Sequence, residues 1–103
     1  MFCYIWEFKV NPMRVEEFES AYGSDGPWTE LFRRAPGFIR TEILRDSGEI
    51  NRYFTIDYWT DRGAYEGFRQ DFSAEFQSLD KDCEAFTISE RHVGDFEILQ
   101  ARE

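Results

Sequence analysis

Two carboxylates stand among rings in this chain: Asp57 within Tyr53-Phe-Thr-Ile-Asp-Tyr-Trp59, and Glu7 within Tyr4-Ile-Trp-Glu-Phe8. A carboxyl packed against apolar groups loses hydration, which penalises its charged form and moves its pKa toward neutrality. Such a group can act as an acid or base on a phenol-like molecule. Asp57 is the sharpest candidate of this kind. The competing structural reading, and the commoner arrangement, pairs it with Arg40 or Arg69, or hydrogen-bonds it to a ring hydroxyl or an indole. Glu7 has the same two readings, with Arg52 and Arg91 as cationic partners. A salt bridge is preferred there, because an unpaired buried charge is costly.

The surrounding rings also have two readings. Trp6, Tyr53, Trp59, Tyr22, Trp28 and Phe72 can wall a pocket for a flat aromatic molecule, with Arg69 as a polar contact. They can equally fill a core with no cavity. Other chemistries lack their residues. There is no phosphate-cradling glycine loop and no nucleophile motif. Cys3, Cys83 and His92 are too few and too scattered for a metal site, so neither metal nor cofactor is expected. Both cysteines read as small apolar residues, and His92 as a structural or surface group.

The elements that position these residues follow from periodicity. Residues 2–10 alternate as a strand, with Phe2, Tyr4, Trp6, Phe8 and Val10 on one face and Cys3, Ile5, Glu7 and Lys9 on the other. Asn11-Pro12 predicts a helix start, Asn as cap and Pro at the first position, and Gly23 its end. Trp28, Leu31 and Phe32 predict a short second helix ending at Pro36-Gly37. Strands are expected over 38–45 and 51–59, joined by a hairpin turn at Asp46-Ser-Gly-Glu49. Thr60 or Asp61 can cap a long helix carrying the stripe Ala64, Tyr65, Phe68, Phe72, Phe76 and Leu79, which ends or breaks near Asp80–Cys83. Thr87-Ile-Ser-Glu90 matches a capping box on a short turn. The last strand is expected from about Arg91 to Leu99, and Gln100–Glu103 as a tail.

The first and third strands are apolar on both faces, so both faces need cover. One cover is the protein's own helices, and the other is expected to be a second copy. The order strand, helix, strand, strand, helix, strand is the ferredoxin-like βαββαβ motif. It gives an α+β fold whose four-stranded antiparallel sheet has the first and third strands central. The 103 residues suit one domain, 1–103, with one core. Aromatic residues make up 18% of the chain and charged residues 32%; the formal charge of −9 opposes binding to nucleic acid or anionic membranes. No apolar run reaches membrane-spanning length and no secretory signal is evident, so a cytoplasmic location is expected.

Val10-Asn-Pro-Met-Arg14 after the first strand, Pro36-Gly37-Phe38 before the second and Trp59 closing the third add to this element order. On these features, residues 2–99 resemble the antibiotic biosynthesis monooxygenase-like family of dimeric α+β barrels. The resemblance implies a homodimer with sheets packed face to face and a pocket between each sheet and its helices. It implies cofactor-independent oxygenation of polyketide quinols, or haem degradation in another branch. For the second activity, Trp6 stands where that branch has Asn, Trp59 matches its Trp, and Phe68 or Arg69 stands where it has His. Two departures in three speak against it. The first activity implies Asp57 as base or orienting group, with Trp6, Tyr53 and Trp59 stacking on the substrate and Tyr22, Arg69 and Phe72 beside them. Two rival readings use the same barrel: a non-catalytic binding or stress-related protein, and an isomerase or lactone-handling enzyme.

Overall fold

Alternating bulky and β-branched residues carry the backbone through four strands: β1 (Phe2–Val10), β2 (Phe38–Arg45), β3 (Arg52–Trp59) and β4 (Thr87–Glu97). They are seen in a computed structural model that describes residues 1–99; the expected tail, 100–103, lies outside the described residues. The strands form one antiparallel sheet in the order β2-β3-β1-β4. The two aromatic strands are central, as expected, in a ferredoxin-like α+β fold. Period-two geometry then sorts their side chains. Phe8, Tyr53, Thr55, Asp57 and Trp59 are buried on the inner face; Ile5, Glu7, Phe54, Ile56 and Tyr58, on the outer face, remain half-buried.

The inner face is covered by α1 (Val15–Tyr22), α2 (Pro27–Arg33), α3 (Arg62–Asp71) and α4 (Ser73–Cys83). Among the described residues, no helix is long and apolar enough to cross a membrane. Three boundaries differ from expectation. Asn11 does not cap a helix: its Oδ1 accepts from the Met13 amide at 3.0 Å and its carbonyl from the Arg14 amide at 2.8 Å. Asn-Pro therefore closes a turn, and α1 begins at Val15. The helical run ends at Cys83, within the expected span, but it is also broken at Phe72 (φ −116°, ψ 27°), giving α3 and α4. Thr87–Glu90 is not a capping box. β-branched Thr87 and Ile88 open β4 four residues early, after a single 3-10 turn over Glu84–Phe86, and Thr87 pairs with Val10.

Asp61 does cap α3, its Oδ1 accepting from the Ala64 amide at 2.8 Å. The α3 N-terminus is seated against the start of β2 through Gly37, at φ 88°. A Cβ there would stand 2.6 Å from Ala64 Cβ and 2.7 Å from Thr60 Oγ1, so only glycine fits. The core is ring on ring. Phe18 stacks on Tyr22 at 4.4 Å between centroids, and Phe32 meets Trp59 and Phe68 edge-on at 5.8 and 5.1 Å. Each fully buried ring contributes about 1.5–3 kcal/mol.

Candidate functional site

The ring core does not fill the space between sheet and helices. A cavity of about 280 Å³ remains there. All four strands contribute to its floor, from Thr41 in β2 through Asp57 and Trp6 to Glu90 in β4. The roof comes from the four helices, which contribute Tyr22, Trp28, Tyr65, Arg69 and Phe76 among others. Most of the wall is aromatic, suited to a flat ligand.

Asp57 is 7% exposed and is one of the few polar side chains in the sheet's interior. The hairpin register sets Thr41 directly opposite it, and the Thr41 hydroxyl donates to Asp57 Oδ1 at 2.8 Å. Asp57 lines the cavity, and among the described residues nothing hydrogen-bonds its Oδ2. Burial pushes the Asp57 pKa up to about 7, with the Thr41 hydrogen bond opposing. The expected arginine partners are absent. Arg40 lies over the Tyr58 ring at 4.1 Å, a ring on the outer face. Arg69 donates instead to the Tyr65 hydroxyl, at 2.8 Å.

A second cluster adjoins the first. Tyr4, the β1 residue paired with Asp57, is stacked on Tyr65 at 4.4 Å and on His92 at 4.1 Å. His92 is an exposed residue of β4. Burial raises the Tyr65 pKa, with Arg69 opposing. The Arg69 guanidinium lies 3.9 Å from the centroid of Phe76. A third group comprises Tyr22, Asp80 and Glu90. Desolvation is the first cause of the raised Tyr22 and Glu90 pKa values, and the charge of Asp80 adds to both. Glu90 shows this desolvation although the residue as a whole is largely exposed.

Of the residues expected at a site, Asp57, Trp6, Tyr22 and Arg69 line the cavity, whereas Tyr53, Trp59 and Phe72 do not. Trp59 is fully buried, wedged among Phe32, Phe38, Tyr65 and Phe68, with its indole N–H unpaired. Tyr53 packs on Phe18 and donates its hydroxyl to Glu19. Phe72 turns toward Phe68 at the helix break and is covered by Arg34. Thr41, Thr55, Tyr4 and Tyr65 are cavity residues that periodicity alone did not single out as a site. Thr41 was within reach of the sequence: four residues outward from the Arg45–Tyr53 pair of the hairpin, Thr41 meets Asp57. Glu7 takes both expected partners on the outer face, Arg52 at 2.6 Å and Arg91 at 2.6 Å. Cys3 and Cys83 are both buried and free.

Residues 1–81 match the family model described as antibiotic biosynthesis monooxygenase. Deoxynogalonate monooxygenase of Streptomyces nogalater is 39% identical over 49 residues, which make up 48% of this chain and 39% of that protein. The alignment thus spans about two fifths of that relative's length. A mutant of SnoaB, a cofactor-independent oxygenase from Streptomyces nogalater, superposes with a TM-score of 0.79 at 27% identity, covering 97% of this chain and 94% of that one. A mutant of MhuD with two manganese protoporphyrin IX molecules per active site superposes with a TM-score of 0.75, covering 100% and 99% of the two chains. At 16% identity it attests the fold alone.

Proposed function

The chain belongs to the antibiotic biosynthesis monooxygenase family, and we propose that it oxygenates a small, flat, electron-rich phenolic molecule of the polyketide type, using neither metal nor flavin. One observation carries this reading: a buried carboxyl with a pKa of about 7, hydrogen-bonded at one oxygen, lines a ring-walled cavity. A carboxylate with this raised pKa is a stronger base than an ordinary one, which narrows the gap to a phenol of pKa about 10. The likeness to SnoaB, a cofactor-independent oxygenase, supports the same chemistry.

The ring itself is the reductant. Asp57 Oδ2 accepts the phenolic proton, and the resulting anion passes one electron to dioxygen. That phenol is the enol tautomer of a ring methylene ketone, so the former methylene carbon is a trigonal C–H; the two radicals couple there to form a C–O bond, giving a hydroperoxide after protonation. Loss of water leaves a carbonyl. One oxygen atom stays in the product and the other leaves as water; four electrons come from the CH₂ that becomes C=O. The protein's part is to hold the ring flat against Trp6, remove the proton and exclude bulk water. Thr55, buried beside Asp57 on the same face, completes the polar floor. In this reading Tyr53, Trp59 and Phe72 support the wall from behind.

The same reading makes the functional unit a homodimer, with chain 1–103 as one domain. Its support is the outer sheet face, where half-buried Ile5, Phe54, Ile56 and Tyr58 surround the Glu7–Arg52–Arg91 ion cluster. Light scattering at micromolar concentration tests this; a monomer there removes the dimer.

Turnover is tested with a dihydroxyanthrone, following oxygen uptake and quinone absorbance. The wild type is expected to turn over, and Asp57→Asn to lose the activity. Equal turnover by both proteins removes Asp57 from the mechanism. Binding by the wild type without turnover favours the non-catalytic alternative.

A further inference from the structure

Arg69 is the only lysine or arginine among the described residues lining the cavity. Seven other arginines are held in ion pairs with carboxylates: Arg14, Arg34, Arg40, Arg45, Arg52, Arg62 and Arg91. Among the described residues Arg69 is in no ion pair, although the chain carries 21 acidic residues against 12 basic ones. Its contacts are a neutral phenol and two ring faces: the Tyr65 hydroxyl at 2.8 Å, the Phe76 centroid at 3.9 Å and the Tyr65 centroid at 6.0 Å. Guanidinium stacked in this way is positioned while most of its N–H donors stay free. Its half-buried setting weakens competition from water.

The carboxyl groups of the cavity do not neutralise it. Among the described residues Asp57 is bound by Thr41 alone. Asp80 lies one helical turn beyond Phe76 on α4, and its charge acts on Glu90, Tyr22 and Cys83. Arg69 is set on Tyr65 and Phe76, while Asp80 and Glu90 act on Tyr22; Asp57, whose β1 partner Tyr4 stacks on Tyr65, lies on the Arg69 side. We infer that the cavity selects a flat aromatic molecule bearing a carboxylate or comparably acidic group, bound at Arg69, with its uncharged end toward Asp80 and Glu90. This rests on the cavity being a ligand site, as proposed above, and adds which class of ligand it takes.

Quenching of tryptophan fluorescence tests it with a matched pair of probes, anthraquinone-2-carboxylate and anthraquinone-2-carboxamide. The two have the same shape and differ in charge. The carboxylate is expected to bind the wild-type protein about tenfold more tightly, as one charge-assisted contact warrants. The preference should shrink as ionic strength rises. Arg69→Gln should bring the two affinities together, and Arg69→Lys should keep part of the difference. Equal affinities in the wild type, or a preference that survives in Arg69→Gln, overturn the role of Arg69 and leave the cavity reading standing. Absence of binding by either probe overturns both.

Discussion

Across β1 and β3 the sheet presents two carboxylates to two different surroundings. On the outer face Glu7 meets two guanidinium groups, and the hydrogen bonds from Arg52 and then Arg91 lower its pKa. On the inner face Asp57 meets one threonine hydroxyl, and burial raises its pKa to about 7. Both residues lie in aromatic strands at the centre of one sheet, so sequence surroundings alone make them look alike. What separates them is the face, and with it the partners that face supplies. A carboxylate with two cations is held in one charge state. A carboxyl with a single neutral donor can take either, which suits proton transfer.

The largest test of this contrast is catalytic. Asp57→Asn keeps the shape and removes the base, so dihydroxyanthrone turnover should fall by about 10²–10⁴-fold, the usual weight of general-base catalysis. Next is stability. Because the folded pKa of Asp57 lies above its ordinary value of 3.8, the unfolded chain ionises first as pH rises. The contribution of Asp57 to stability is therefore greatest below about pH 4, falls as pH rises to about 7 and is level above that. The total is on the order of 4 kcal/mol. In urea titrations Asp57→Asn should exceed the wild type in stability at pH 8 and match it at pH 3.5. A wild type that gains stability between pH 4 and 7 through Asp57 would erase the contrast with Glu7.

A smaller change sharpens the inner half of the comparison. Thr41→Val removes the one hydrogen bond that favours the carboxylate. The acid limb of kcat/KM should move up by about one pH unit, and Thr41→Ser should restore it. The smallest effect belongs to the outer face. Glu7→Gln should lower the thermal midpoint slightly, less so in high salt because the partners are partly exposed. The Glu7 contribution has the opposite sign to that of Asp57: present above its unfolded pKa and lost as pH falls through the lowered folded value. A Glu7→Gln protein with unchanged midpoint at low salt would show the ion cluster to be energetically idle.

Which residues of the central strands share a face could be read from sequence, because a two-residue period fixes it; which face points inward is set by where the helices lie. The element order was legible from periodicity as well. The cavity wall was not. Trp59 and Trp6 are both inward-facing indoles, yet Phe32, Phe38 and Phe68 enclose the first and leave the second on the cavity. That difference depends on where α2 and α3 land, which helical periodicity does not specify. The Asn11-Pro12 start failed because asparagine caps a turn as readily as a helix. Tyr65 belongs to the stripe that helical spacing predicts as core, yet it lines the cavity, stacked over Tyr4.

The interruption at Phe72 divides the helical roof over the cavity into two short pieces. One continuous helix over the cavity would have to lift as a beam. Two short helices meeting at a joint can open one at a time while the sheet remains paired. Local opening of this kind requires less than the free energy of global unfolding. Amide exchange in α3 should accordingly be faster than in β1 and β3. Entry and exit of a ligand would then follow the rhythm of the helices, and the sheet would hold Asp57 and Thr41 in register throughout.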